Sequence, residues 1–202
     1  MYTVEGFDRN SVVERYNCGE EIRFIFFWGH SARPGEIKKS CLSQWYPCSF
    51  TQCGVNYYTT EQYMMAQKAL LFDDRETYEK IMQADNPKAY KALGREIRGF
   101  NEDVWSLHKY GIVLQGNIAK FSQNPGLKDF LLKTGDSVLA EASPYDSVWG
   151  VGLAMDDPAI GDPNNWRGEN LLGAALMETR RVLSAAEAAQ SAPGESASVK
   201  IY

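Results

Sequence analysis

Glu61 and Lys68, a carboxylate and an amine, stand seven positions apart in the run EQYMMAQKALLF. On a helix that spacing is two turns, so both leave one face about 10 Å apart along the axis. They are too distant to pair directly, and both can reach a ligand lying along the helix. A solvated face carrying one acid and one base has the same spacing. Asp146 sits in SPYDSVWGVG, held between aromatic rings and glycines. Glycine lets a backbone approach a ligand closely, and burial beside aromatics raises an acid toward the range of proton transfer. A local turn bond is the commoner use of such an aspartate. Trp105 and His108 read as packing residues of one helix. For an anion, Arg23, Arg95, Arg98 and Arg167 are candidates, and the loop from Asn165 to Asn170 would set backbone amides at a helix start. Each arginine reads equally as a surface charge.

Helices must position most of these groups. Thr59 or Thr60 caps one beginning at Glu61, with Gln62 where a capping-box partner of Thr59 would lie. Others are announced by Asp73 and Asp74 before RETYEKIMQA, Asn86-Pro87 before KAYKALGREI, Asn101 before EDVWSLHKYGIVLQGNIAKF, and Asn124-Pro125. A last amphipathic helix runs from about Asn170 through LLGAALMETRRVLS. Strands are expected at EIRFIFFW (Glu21 to Trp28) and SVLAEAS. The stretch from Pro144 to Asn170, dense in Pro, Gly, Asp and Asn, reads as one long functional loop. The expected fold class is α+β, a mainly helical single domain with a small sheet over residues 1–184, followed by a flexible tail at 185–202.

Hydrophobic residues make up 44% of the 202, enough for one core. A net charge of -5 argues against a general nucleic-acid coat protein, which draws affinity from many Lys and Arg contacts. From Asn86 to Lys133, however, eight basic residues, Lys91 and Lys109 among them, face four acids, a balance of +4 at which an anionic ligand could dock, with solvated helix faces the commoner reading. The two histidines are far apart and no C-x-x-C pair exists among the four cysteines, so reduced thiols, no metal and no cofactor are expected. No phosphate-binding P-loop or dinucleotide fingerprint is present. No apolar stretch approaches membrane-spanning length, and the first residues lack the character of a signal peptide. The expectation is an intracellular protein with no membrane contact and no stable protein partner.

Several strings, taken in order, resemble the successive motifs of the NADAR family, also called YbiA-like. They are FFWGH (Phe26 to His30), LSQWYPCSF (Leu42 to Phe50), YYTTEQYMMAQKALLF (Tyr57 to Phe72), the Gly94-Arg95 turn, the Trp105 region, SPYDSVWGVG and NNWRGENLLGAALMETR (Asn164 to Arg180). The resemblance implies N-glycosidase activity on ribosylated nitrogen compounds. Two substrate classes go with it: phosphorylated ribosylamino-pyrimidine intermediates of riboflavin synthesis, and ADP-ribose on guanine in nucleic acid. It further implies Glu61, Trp105 and Asp146 as functional acid, tryptophan and acid, and Lys68 as a helix lysine with a Schiff-base role toward the opened ribose. Its motifs also mark Trp28, Gly29, Ser43, Trp45 and Tyr46 as substrate contacts. Arg95, Trp149, Arg167 and Asn170 complete that set. Where many members carry Ser-Asn-Phe-Tyr-Pro, this chain has Ser43-Gln44-Trp45-Tyr46-Pro47, which reshapes one wall of the pocket.

Departure of a nitrogen from C1′ builds oxocarbenium character there, so one carboxylate to face that charge and one acid to protonate the nitrogen suit Glu61 and Asp146 in either order. Lys68 is the alternative nucleophile if desolvation frees its amine. A module that only holds ADP-ribose or NAD would keep the aromatics and arginines without needing Glu61, Lys68 and Asp146 together.

Overall fold

The computed structural model describes residues 6–31 and 35–191. In chain order these residues form α1 (Arg9–Asn17), β1 (Phe24–Phe27), a 3-10 turn (Lys39–Leu42), β2 (Phe50–Gln52), β3 (Val55–Tyr57), α2 (Thr60–Leu71), α3 (Arg75–Gln83) and α4 (Pro87–Leu93). Then come α5 (Glu102–Gln123), α6 (Pro125–Lys133), β4 (Val138–Glu141), a second 3-10 turn (Pro163–Asn165) and α7 (Leu171–Ser191). The expected class holds: helices dominate around two small sheets.

Side-chain caps start the helices where the sequence signals them. Thr59 accepts from the Gln62 amide at 3.0 Å, Asp74 from Thr77 at 3.2 Å, Asn86 from Ala89 at 2.9 Å and Asn101 from Val104 at 3.0 Å. Gln62 folds back on the Tyr58 amide at 2.9 Å, one residue earlier than a capping box would place it. Asn124 is no side-chain cap, because its amide nitrogen donates to the carbonyls of Ser49 and Lys120.

β1 and β4 pair in parallel with Phe27 opposite Glu141, so the sheet is closed by a crossover more than a hundred residues long. The β2–β3 hairpin was not legible in the sequence. Its strands have three residues each and turn through Cys53 and Gly54, both at positive φ, as a two-residue primed turn requires.

The core lies where α2, α5 and α7 meet. Tyr63, Ala66 and Ala69 of α2 are buried, as are Val113, Ala119 and Phe121 of α5 and Leu172, Ala175, Leu176 and Met177 of α7. Gly116 lets α5 close on the Tyr63 ring, since a Cβ there would lie 2.6 Å from a ring carbon. Gly173 does the same for α7 against the Leu139 carbonyl. The last helix continues to Ser191, seven residues past the Ser184 at which its pattern ends, because Ala-Ala-Glu-Ala-Ala-Gln is strongly helix-forming. The rest of the expected tail, 192–202, lies outside the described residues. No helix among the described residues is long and apolar enough to cross a membrane.

Candidate active site

α2 begins at the back of a cavity of about 710 Å³, within the size range of small-molecule sites. The start of the helix is fastened to the opposing wall: the Glu61 amide and the Thr60 hydroxyl both donate to the Gln44 carbonyl, at 3.0 and 3.1 Å. Glu61 and Lys68 both line the cavity, as two helical turns allow. Trp105 enters from α5, while Asp146 and Trp149 come from the loop after β4. Trp28, Gly29, Ser43 and Trp45 complete the part of the wall that the sequence anticipates.

Glu61 is only 4% exposed, and its Oε1 has no hydrogen-bond partner among the described residues. Desolvation pushes its carboxyl up to about 7, Lys91 and the Trp45 indole oppose the rise, and the charge of Asp146 adds to it. Gln44 presents a second buried oxygen without a partner, Oε1, on the same wall. The Asp146 Oδ1 accepts from the amides of Val148 and Trp149 at 3.0 and 2.8 Å. The turn bond and the cavity position therefore coexist in one side chain.

Lys68 is half-buried. Its Nζ donates to the Gly94 carbonyl at 2.9 Å and lies 4.1 Å from the Phe100 ring centre and 5.4 Å from that of Trp105. Desolvation lowers its pKa, and the charge of Glu102 opposes the fall without reversing it. An amine in such a setting is closer to its neutral, nucleophilic form than a solvated lysine.

Four expected substrate contacts lie away from the cavity wall. Arg95 and Arg167 are exposed elsewhere, and Tyr46 lies near the buried Lys120 ammonium, 5.6 Å from its ring centre. Asn170 is buried: Oδ1 accepts from the Glu141 amide at 3.1 Å and Nδ2 donates to the Leu139 carbonyl at 2.9 Å. The amides at the start of α7 are likewise taken. Those of Glu169, Asn170, Leu171 and Leu172 donate to the carbonyls of Ser147, Gly150, Val148 and Trp149. This helix start closes the loop instead of holding an anion. Of the other arginines, Arg23 binds Ser137 and Thr134, and Arg98 pairs with Asp74.

The cavity instead draws cations from the basic stretch between Asn86 and Lys133, from which the sequence did not single out individual residues. Lys91 on α4 and Lys109 on α5 line it, the latter in register with Glu102 and Trp105 on one helical stripe. Glu141 was missed as well. It ends β4 on the cavity wall, and burial with the charges of Asp146 and Glu61 pushes it up to about 8. A lone acid closing the apolar strand VLAE was its one available signal.

Fold and site together define a single-domain α+β protein whose concave pocket brings acids, an amine and aromatic rings to one place. The chain belongs to the NADAR domain family, whose model matches residues 26–184. It is 42% identical over 166 residues to N-glycosidase R617 of Acanthamoeba polyphaga mimivirus, covering 80% of this chain and 96% of that protein. A riboflavin biosynthesis protein of Vibrio vulnificus is 34% identical over 142 residues, which are 70% of this chain and 35% of that longer protein. Among solved structures, the NMR structure of the E. coli protein YbiA superposes with a TM-score of 0.67 at 26% identity, covering 82% of this chain and 88% of that one.

Proposed function

We propose that this protein is an N-glycosidase that hydrolyses the bond between a ribose C1′ and a nitrogen of a base-type ring. The observation that carries the reading is the Glu61 carboxyl, buried with one oxygen unpartnered, on a wall it shares with Lys68 and Asp146. A buried carboxyl oxygen without a protein partner is costly unless a ligand completes it. Positive charge at C1′, as an oxocarbenium ion or an iminium, is the natural complement of the ionised form. Lys68 supplies the nucleophile: its amine adds to C1′ of the opened ribose, the base departs, and water releases the sugar from the lysine imine. Trp45, Trp105 and Trp149 give planar faces on which a base can stack.

A relative named a riboflavin biosynthesis protein favours phosphorylated ribosylamino-pyrimidines as substrates; ADP-ribosyl-guanine in nucleic acid is the second class, which rests on the family resemblance alone. Lys91 and Lys109 are the cavity cations suited to their phosphates. An intracellular setting fits four cysteines that are all unpaired. Incubation with each substrate, followed by mass analysis of the released base, tests the reading. Release from at least one is expected, and tight binding without release from either would replace the enzyme with a binding module.

A further inference from the structure

Glu141 has no task in the lysine route, yet the fold holds it closely. Parallel pairing with β1 brings the end of β4 to the cavity, and the Asn170 side chain accepts from the Glu141 amide at 3.1 Å. The Glu141 carbonyl takes the amides of Ser143 and Val151, both at 2.9 Å. Its backbone is thus fixed on both sides, while its carboxyl has no hydrogen bond or ion pair among the described residues and faces the cavity. Asp146 differs, because two turn amides already occupy its Oδ1.

We propose that Glu141 is the catalytic proton donor to the leaving nitrogen, an assignment that rests on the N-glycosidase reading. As the C1′–N bond breaks, its electron pair stays on the nitrogen and the Glu141 proton moves there, so the base leaves neutral. Water then adds to C1′ of the Lys68 iminium and returns one proton to Glu141; the new hydroxyl's proton passes to the Lys68 nitrogen as the lysine–C1′ bond breaks, and the oxygen stays on the sugar. One water is consumed and no oxidant or reductant is needed. The charged groups around Glu141 agree with a donor. Glu61 of α2 and Asp146 of the loop disfavour a further negative charge, and Lys91 of α4 opposes them weakly enough that Glu141 still titrates near 8. His30, Lys68, Glu102, Lys109 and Tyr145 complete the titratable wall. The charges of Glu141, Glu61 and Asp146 disfavour one another, so the Glu141 and Glu61 carboxyls both hold their protons to higher pH than solvated acids do.

The test is the pH dependence of kcat, read by base release, for the native protein, Glu141→Gln and Glu141→Asp. The native protein is expected to lose kcat above about pH 8, where Glu141 gives up its proton. Glu141→Gln should lower kcat by roughly 10²–10⁴-fold and abolish that alkaline limb. Glu141→Asp should recover part of the rate and keep the limb. A Glu141→Gln protein within about tenfold of native kcat, with the limb intact, overturns the assignment. If Glu141→Gln does not fold, a flat alkaline profile in both the native protein and Glu141→Asp overturns it instead. Absence of base release from the native protein is a separate outcome that removes the N-glycosidase reading, and the donor role with it.

Discussion

Lys68 on α2 and Lys120 on α5 each donate to a backbone carbonyl at 2.9 Å, that of Gly94 and that of Ser43, and each lies over two aromatic rings. Desolvation lowers the pKa of both. They differ in access. Lys120 is wholly buried and holds the carbonyl of Ser43, next to the Gln44 whose own carbonyl anchors the start of α2. Lys68 has the same kind of cage with one side open to the cavity. On the proposed mechanism, a caged amine is a strut where the chain closes over it and a reagent where a substrate can reach it.

Substitutions should separate strut from reagent. Lys68→Arg is expected to take turnover below detection, because a guanidinium stays protonated and cannot form an imine; substantial base release from this variant would remove the nucleophile role. Glu61→Gln should fold and lose kcat by roughly 10²–10³-fold, the usual scale for one electrostatic group facing developing charge. Near-native kcat would take Glu61 out of the mechanism.

The same Glu61→Gln exchange should raise stability at alkaline pH. The folded carboxyl titrates near 7 against an ordinary value of 4.5, so between those values the unfolded chain releases a proton that the folded chain keeps. Stability therefore falls as pH rises through that window, and the penalty is complete above it. Removing the carboxyl should restore up to roughly 3 kcal/mol at pH 8, and nothing below about pH 4.5. Thermal unfolding at both pH values measures the difference, and equal shifts at the two would contradict the cause given.

Lys120→Met tests the strut. The Ser43 carbonyl loses its donor at a cost of about 1–3 kcal/mol, partly offset by no longer burying a charge. Melting should drop modestly and KM should rise while most of kcat remains, whereas a kcat loss as deep as that of Lys68→Arg would erase the distinction. The smallest effect belongs to chelators. No group of three His, Cys, Asp or Glu among the described residues is arranged to hold a metal, and turnover is expected to be unchanged in chelator. Loss of turnover restored by zinc or magnesium would overturn this.

What the sequence disclosed was local. Thr59, Asp74, Asn86 and Asn101 cap helices through bonds only three residues long, so their signals survive without knowledge of the fold. The two-turn spacing of Glu61 and Lys68 likewise depends on one helix. Glu141 could not be found that way, since its place on the cavity depends on pairing with a strand more than a hundred residues earlier and on the clamp from Asn170. Arg167 and Asn170 misled for the complementary reason. A helix start after a loop reads as an anion site, and only the fold shows the carbonyls of residues 147–150 already bonded to its amides. Lys91 and Lys109 looked like solvated helix charges because nothing nearby in sequence shows that α4 and α5 converge on α2.

Borohydride trapping tests the central claim, that the open cage makes Lys68 the reagent. Native protein is mixed with the substrate that releases base, reduced during turnover, digested and mapped by mass. The expected result is a reduced ribosyl adduct on Lys68, with none on Lys91, Lys109 or Lys120 and none in Lys68→Arg. Full turnover with no adduct on Lys68, together with an active Lys68→Arg protein, would contradict it.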